Sequence, residues 1–216
     1  MGKSAAALML RSMGIPVHDS DAAVHALMAP GGEAVDPVLA RFPGTGSRAG
    51  GIDRKALGQK VFNDPEALEA LEKILHPLVR ERQDRFLEEH RRKGEPLVVL
   101  EIPLLFETGA DRRVDAVMVV TAPRHIQEKR VLSRPGMTRE KFSWILSHQM
   151  PDTEKRRRAD IILQTGQGRA RVWHTLRAIV RDLDRGVSGS MPAGLLSAGS
   201  RPGSGGRQGR HPPAGE

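Results

Sequence analysis

The chain has 216 residues, a formal charge of +8, no Cys, and only two Trp and five Phe as aromatic side chains. This is enough length for one good-sized domain with a substantial core. The lack of Cys excludes a disulfide framework, a thiolate nucleophile and a Cys-based zinc site. No run reaches the roughly 18 apolar residues of a membrane span, and the N-terminus lacks the charged-then-apolar pattern of a signal peptide. A soluble, cytoplasmic protein without a membrane partner is expected.

The basic balance raises nucleic-acid binding, but the charge is scattered. From Gly186 onward Arg201, Arg207 and Arg210 against Glu216 supply +2, and most of the rest lies on segments rich in both signs. With so few aromatics and no Tyr there is little material for base-stacking platforms. Basic residues serving a polyphosphate ligand explain the composition better than a nucleic-acid partner.

The chain opens Met1-Gly2-Lys3-Ser4. Gly-Lys-Ser closes phosphate-binding loops, in which backbone N–H groups at a helix N-terminus cradle phosphates, the Lys reaches their oxygens and the hydroxyl ligates Mg²⁺. Ser4 to Met13 is rich in good helix formers and ends at Gly14, placed as a C-terminal glycine. Ile15-Pro16-Val17-His18 reads as a strand leading into Asp19-Ser20-Asp21. Two acids at a strand end could orient a metal-bound water or accept a proton from an attacking hydroxyl, or simply cap the next helix.

About seventy residues then precede the next strand, too many for a simple crossover. Asp53 to Arg92 looks strongly helical, with Asn63-Asp64-Pro65-Glu66 as a cap signal and Leu68, Leu71, Ile74, Leu75, Leu78 and Val79 at helical spacing. Pro77, after His76, is expected to break this helix or start a new one. His76 itself reads more naturally as a solvated helix residue than as a catalyst.

Strands follow at Leu97–Ile102, Ala116–Val120 and Ile161–Leu163. Their near-continuous Val, Ile and Leu content suits a parallel sheet, and helices alternate with them as in an α/β fold. Pro103-Leu104-Leu105-Phe106-Glu107 leaves the second of these ends as core or as a substrate-facing loop. Arg124 to Arg158 is a second helical insertion dense in Arg and Lys, suited to a solvated face or to a basic lid over a migrating phosphoryl group. Arg169 to Arg185 forms a closing amphipathic helix. The Gly/Ser/Pro-rich remainder is expected to be disordered.

Taken in order, these segments resemble the dephospho-coenzyme A kinase family over residues 1 to 185. The matching parts are Gly2-Lys3-Ser4, Gly14 to Asp21, Ile52 to Leu57, Val61 to Pro65, Leu75-His76-Pro77-Leu78, Ile102 to Glu107, Arg130 and Arg134, Gln149, and Lys155-Arg156 before Ala159-Asp160. The resemblance implies ATP-dependent phosphorylation of the ribose 3′-hydroxyl of dephospho-CoA, with ATP and Mg²⁺ as cofactors. It implies a P-loop kinase-type parallel sheet flanked by helices, with a helical substrate-binding insertion and a helical lid.

By position, Gly2, Lys3 and Ser4 would bind ATP, with Ser4 on Mg²⁺. Asp21 would be the base or hydroxyl-orienting group with Asp19 in support, and Arg134 would reach the phosphates from the lid. His76, Pro77, Leu104, Leu105, Phe106 and Glu107 would shape the substrate pocket. The expected division is a core at 1–27, 94–122 and 159–185, a CoA-substrate insertion at 28–93, a basic lid at 123–158 and a tail at 186–216. A monomer or weak oligomer is expected.

The family also has a central strand and glycine-rich turn before the Gly-Lys-Ser, so the sequence as given is expected to lack strand 1 and the first part of the loop. Each buried unpaired group at the flanking strand edges would cost about 1–3 kcal/mol, and most of the β-phosphate's amides would be missing, so a chain starting at Met1 is expected to be a poor kinase. Open alternatives are a shikimate- or gluconate-type kinase, which the long helical insertion disfavours, an inactive CoA-binding fragment, and a basic nucleic-acid module.

Overall fold

A computed structural model describes residues 2–187 apart from Asn63, Arg134 and His148. Residues 188–216, most of the low-complexity tail, lie outside the described residues, as does Arg134. The elements in chain order are α1 (Lys3–Ser12), β1 (Val17–Asp19), α2 (Ser20–Leu27), α3 (Val35–Arg41), α4 (Arg54–Val61), α5 (Pro65–Arg92), β2 (Val99–Glu101), β3 (Met118–Thr121), α6 (Arg124–Leu132), α7 (Arg139–Ser147), α8 (Asp152–Arg158), β4 (Ile161–Gln164) and α9 (Arg169–Val187). A short 3-10 turn at Ala110–Arg113 precedes β3.

The helix ends follow local chemistry. Ile15 N–H donates to Leu10 and Gly14 N–H to Arg11. Gly14 has φ +84°, so α1 closes in a left-handed turn that glycine enters without penalty. Asp53 and Asp64 each accept backbone N–H bonds at the starts of α4 and α5, and Pro65 takes the first-turn position where no N–H is needed.

All pairing between the named strands is parallel. Val17–Asp19 runs beside Val99–Glu101, and Met118–Thr121 beside Ile161–Gln164. Among the described residues β2 and β3 do not pair with one another. One apolar layer nevertheless spans both pairs. Ala6, Met9 and Leu10 of α1 meet Leu163 and the α9 residues Val172, Leu176 and Ile179, with Val17, Val99 and Met118 packed against them.

A second core lies in the helical insertion. Leu27, Val38, Phe42, Ile52, Leu57, Ala67 and Leu71 are buried together, with Ile74, Leu75, Leu78 and Val79 against them. The expected break at Pro77 does not occur. α5 runs 28 residues through it, about 42 Å at 1.5 Å per residue. An interior proline costs about 3 kcal/mol, and burial of the apolar stripe on both sides of Pro77 offsets that loss. The helix therefore serves both bodies: its first half completes the insertion, and its second half, from Gln83 to His90, reaches the start of α2 and β1. Among the described residues no helix is long and apolar enough to cross a membrane.

Candidate active site

The carboxyl ends of β1 and β2 and the amino end of α1 meet at one place. Gly2 caps α1 with φ +97°, and a Cβ there would lie 3.1 Å from the Thr165 side chain, so both the backbone angle and the space call for glycine. Because this turn places residues 3 and 4 at the head of α1, Lys3 Nζ lies 3.5 Å from Glu101 Oε1, and Ser4 Oγ donates to the same oxygen at 3.1 Å. Glu101 ends β2 and is the register partner of Asp19, which ends β1. Lys3, Ser4, Glu101 and the Asp19–Asp21 turn thus share one end of the sheet.

Glu101 is the residue that sequence reasoning missed. It was visible only as the polar next-to-last position of the apolar run Leu97–Ile102. Its side chain is 6% exposed, and its Oε2 is buried with no hydrogen-bond partner among the described residues. A buried carboxylate oxygen is costly to leave unpaired. A hard cation shared with the Ser4 hydroxyl would satisfy it, since both donors are oxygens.

The two aspartates differ. Asp19 Oδ1 accepts the Ala22 N–H at 2.9 Å, capping α2, while Oδ2 lies 3.9 Å from Arg11 Nη2. Asp21 sits in the first turn of α2 with its side chain exposed toward solvent. Asp19 is thus committed to the cap, and the carboxylate of Asp21 is open to solvent.

His18, just before this pair, is half-buried against Phe86, with ring centroids 5.4 Å apart. Burial holds its imidazole pKa below the ordinary value and Arg82 lowers it further, against the opposing pull of Asp19.

On the other side of Gly2 stands α6. Arg130 of α6 donates to Thr165 Oγ1 at 3.2 Å and to the Thr165 carbonyl at 3.0 Å, which brings a guanidinium beside the Gly2 turn. Trp144 of α7 lies 5.2 Å, centroid to centroid, from Phe62 at the end of α4, so α7 reaches the end of α4. At the start of α8, the Thr121 hydroxyl donates to the Asp152 carboxylate at 3.0 Å.

The remaining expected substrate residues separate into two groups. His76 and Pro77 are exposed and line an open groove of about 980 Å³ along α5, with Arg80, Asp84, Arg92 and Lys93. Leu104 is 37% exposed with φ +54°, a backbone angle that a leucine adopts only under strain, and Leu105 is half-buried. Phe106 is buried, with Arg158 over its ring at 6.0 Å. Glu107 accepts from Lys155 Nζ and from Met150 N–H, both at 2.8 Å. Desolvation pushes the Glu107 pKa up, but these donors outweigh it and hold the group below the usual carboxylate range. Phe106 and Glu107 thus anchor the loop, whereas Leu104 faces outward.

Comparison with known proteins agrees with this geometry. The family model described as dephospho-CoA kinase matches residues 1–170. A dephospho-CoA kinase of Novosphingobium aromaticivorans is 56% identical over 166 residues, covering 77% of this chain and 81% of the relative. One from Mesorhizobium japonicum is 53% identical over 190 residues, covering 88% and 94%. Among solved structures, TT1252 from Thermus thermophilus superposes with a TM-score of 0.70 at 39% identity, covering 84% of this chain and 92% of that one. The parallel strand pairs flanked by helices, the helical stretch between β1 and β2, and the Gly-Lys-Ser turn at the strand ends that carry Asp19 and Glu101 agree with a P-loop kinase fold, and the chain belongs to the dephospho-CoA kinase family.

Proposed function

We propose that this protein transfers the γ-phosphoryl group of ATP to the ribose 3′-hydroxyl of dephospho-CoA. The observation that carries this reading is the single carboxylate of Glu101, which contacts both Lys3 and Ser4 and stands in register with Asp19. It joins the phosphate-binding turn to the strand end that carries the acceptor-site acids.

The chemistry follows from what these groups can do. The N-terminus of α1 presents N–H groups to phosphate, and Lys3 adds a mobile point charge beside them. Asp21 accepts a hydrogen bond from the 3′-hydroxyl, aims its oxygen at the phosphorus and takes its proton at a carboxylate oxygen as the new P–O bond forms and the bond to ADP breaks. Asp19, held by the Ala22 cap, keeps that turn in place. Arg130 and Arg134 supply positive charge from the lid, whose contact at Phe62–Trp144 helps exclude water. The oxygen donors Ser4 and Glu101 fit Mg²⁺, which when bound offsets phosphate charge.

The division of labour places the nucleotide core at 1–27, 94–122 and 159–185, the substrate insertion at 28–93 and the lid at 123–158. The α5 groove at His76 and Pro77, with Leu104 and Leu105, supplies surface for the CoA moiety.

ADP release by protein expressed from its native locus tests the reading. Turnover with dephospho-CoA and none with shikimate is expected. Asp21→Asn should abolish turnover while leaving ATP binding nearly intact. Retained activity in that variant would remove the role assigned to Asp21.

A further inference from the structure

Outside the groups assigned above, one buried amide links three elements. Gln83 of α5 is only 5% exposed, on a helix whose other inward positions are largely apolar. Its Nε2 donates to Ser20 Oγ at 3.1 Å, and Ser20 is itself 4% exposed. Its Oε1 accepts from Arg113 Nη1 at 3.4 Å, and Arg113 also pairs with Asp84, the next residue of α5. An amide at such a position is tolerated because both of its ends are satisfied, and a leucine of similar size would fill the same space without that requirement. Packing alone does not call for glutamine here.

Ser20 lies between the two aspartates of the acceptor turn. Asp19 is already fixed by the Ala22 N–H and by Arg11. The Ser20 hydroxyl gives the turn a further fixed point, reached from a different helix. With Asp19 and Ser20 both held, the first turn of α2 has one orientation, and that orientation sets where Asp21 projects. α5 also carries Arg80 and Asp84, groove-lining residues three positions before and one after Gln83.

We propose that Gln83 is a positioning residue for phosphoryl transfer: through Ser20 it fixes the turn that presents Asp21, and so ties the placement of α5 to the placement of the acceptor-site acid. This rests on the reading of Asp21 given above. Gln83 does not touch substrate in this role. Its effect falls on the fraction of bound complexes in which the acceptor hydroxyl is aligned, hence on kcat rather than on nucleotide affinity.

The test uses Gln83→Leu, Ser20→Ala, the double variant and Gln83→Glu, with Asp21→Asn as reference. kcat and both KM values are read by ADP release, and the folded fraction by circular dichroism. Each single variant is expected to lower kcat about tenfold with KM for ATP unchanged, and the double variant to be no worse than the poorer single, because both remove one contact. Gln83→Glu keeps a bond to Ser20, with the hydroxyl now donating, and should recover most of kcat.

Wild-type kcat in the single variants, multiplying losses in the double, or losses accounted for by unfolding or confined to KM would overturn the proposal. If Gln83→Leu does not fold, Ser20→Ala decides alone, since it removes the same contact with a one-atom change. Active Asp21→Asn would mean the underlying reading fails. Inactive Asp21→Asn beside fully active Ser20→Ala and Gln83→Leu would mean that only the present inference fails.

Discussion

Replacing Glu101 by Gln separates the site's chemistry from its stability. Across the 3.5 Å between Lys3 Nζ and Glu101 Oε1, the gross attraction is about 5 kcal/mol at an effective dielectric of about 20. The Lys3 side chain is 39% exposed, so solvent screening leaves roughly 1 kcal/mol or less. Against it stands the desolvation of a carboxylate whose Oε2 has no partner among the described residues. That penalty is several kcal/mol, and a neutral amide avoids it while leaving its own NH₂ unpaired at about 1–3 kcal/mol.

These terms oppose one another, so E101Q should unfold in urea within about 1 kcal/mol of the wild type. Activity should not be spared. Removing the charge that contacts Lys3, and that with Ser4 would supply oxygen donors to Mg²⁺ in the proposed reaction, should lower kcat by about 10²–10³, the scale of losing one preorganised electrostatic group. The Mg²⁺ concentration for half-maximal rate should rise. The assay is ADP release across a Mg²⁺ series, beside urea unfolding of the same preparation. A folded E101Q with wild-type kcat and unchanged Mg²⁺ dependence would refute the reasoning.

Gly2→Ala should raise KM for ATP and cost about 1 kcal/mol, because it forces an L-residue into φ +97° against Thr165; an unchanged KM would remove the strict need for glycine there. Pro77→Ala should restore a helical N–H bond and stabilise the fold by about 1–3 kcal/mol in urea unfolding, with a higher KM for dephospho-CoA if the groove is used. A destabilised P77A would show that the proline fits α5 without penalty. His18, with its pKa held low, resists protonation in the folded state more than in the unfolded one. Stability is therefore unaffected above the ordinary His value of 6.5 and falls as pH drops below it toward the folded pKa. H18N should show a flatter decline in melting temperature between pH 6.5 and 5, and an identical decline in both proteins would exclude His18 as its source.

Much of this was legible in the sequence, because it rests on local rules. Short Val/Ile/Leu runs marked all four strands. Asp53, Asp64 and Pro65 marked helix starts, and Gly14 marked a helix end. Each of these signals depends on neighbours within four residues. Pro77 misled for the converse reason: its local preference to break a helix is real, but the apolar stripe of α5 is buried against three other helices, and tertiary packing decides.

Glu101 and Gln83 were not visible as functional residues. The role of Glu101 depends on Lys3 and Ser4, nearly a hundred positions away, and that of Gln83 on Ser20, 63 positions away. No spacing rule links such pairs. The family resemblance implies Phe106 and Glu107 as pocket residues, and the partners Lys155, Met150 and Arg158 show them anchoring the loop.

The most direct test follows the phosphoryl group itself. The protein expressed from its native locus is incubated with ATP, Mg²⁺ and dephospho-CoA, and the product is read by phosphorus NMR and tandem mass spectrometry. A new monoester on the ribose 3′-oxygen, formed in step with ADP and absent in Asp21→Asn, is the predicted result. ADP formed without a phosphorylated acceptor, or a phosphate on any other oxygen, would contradict it.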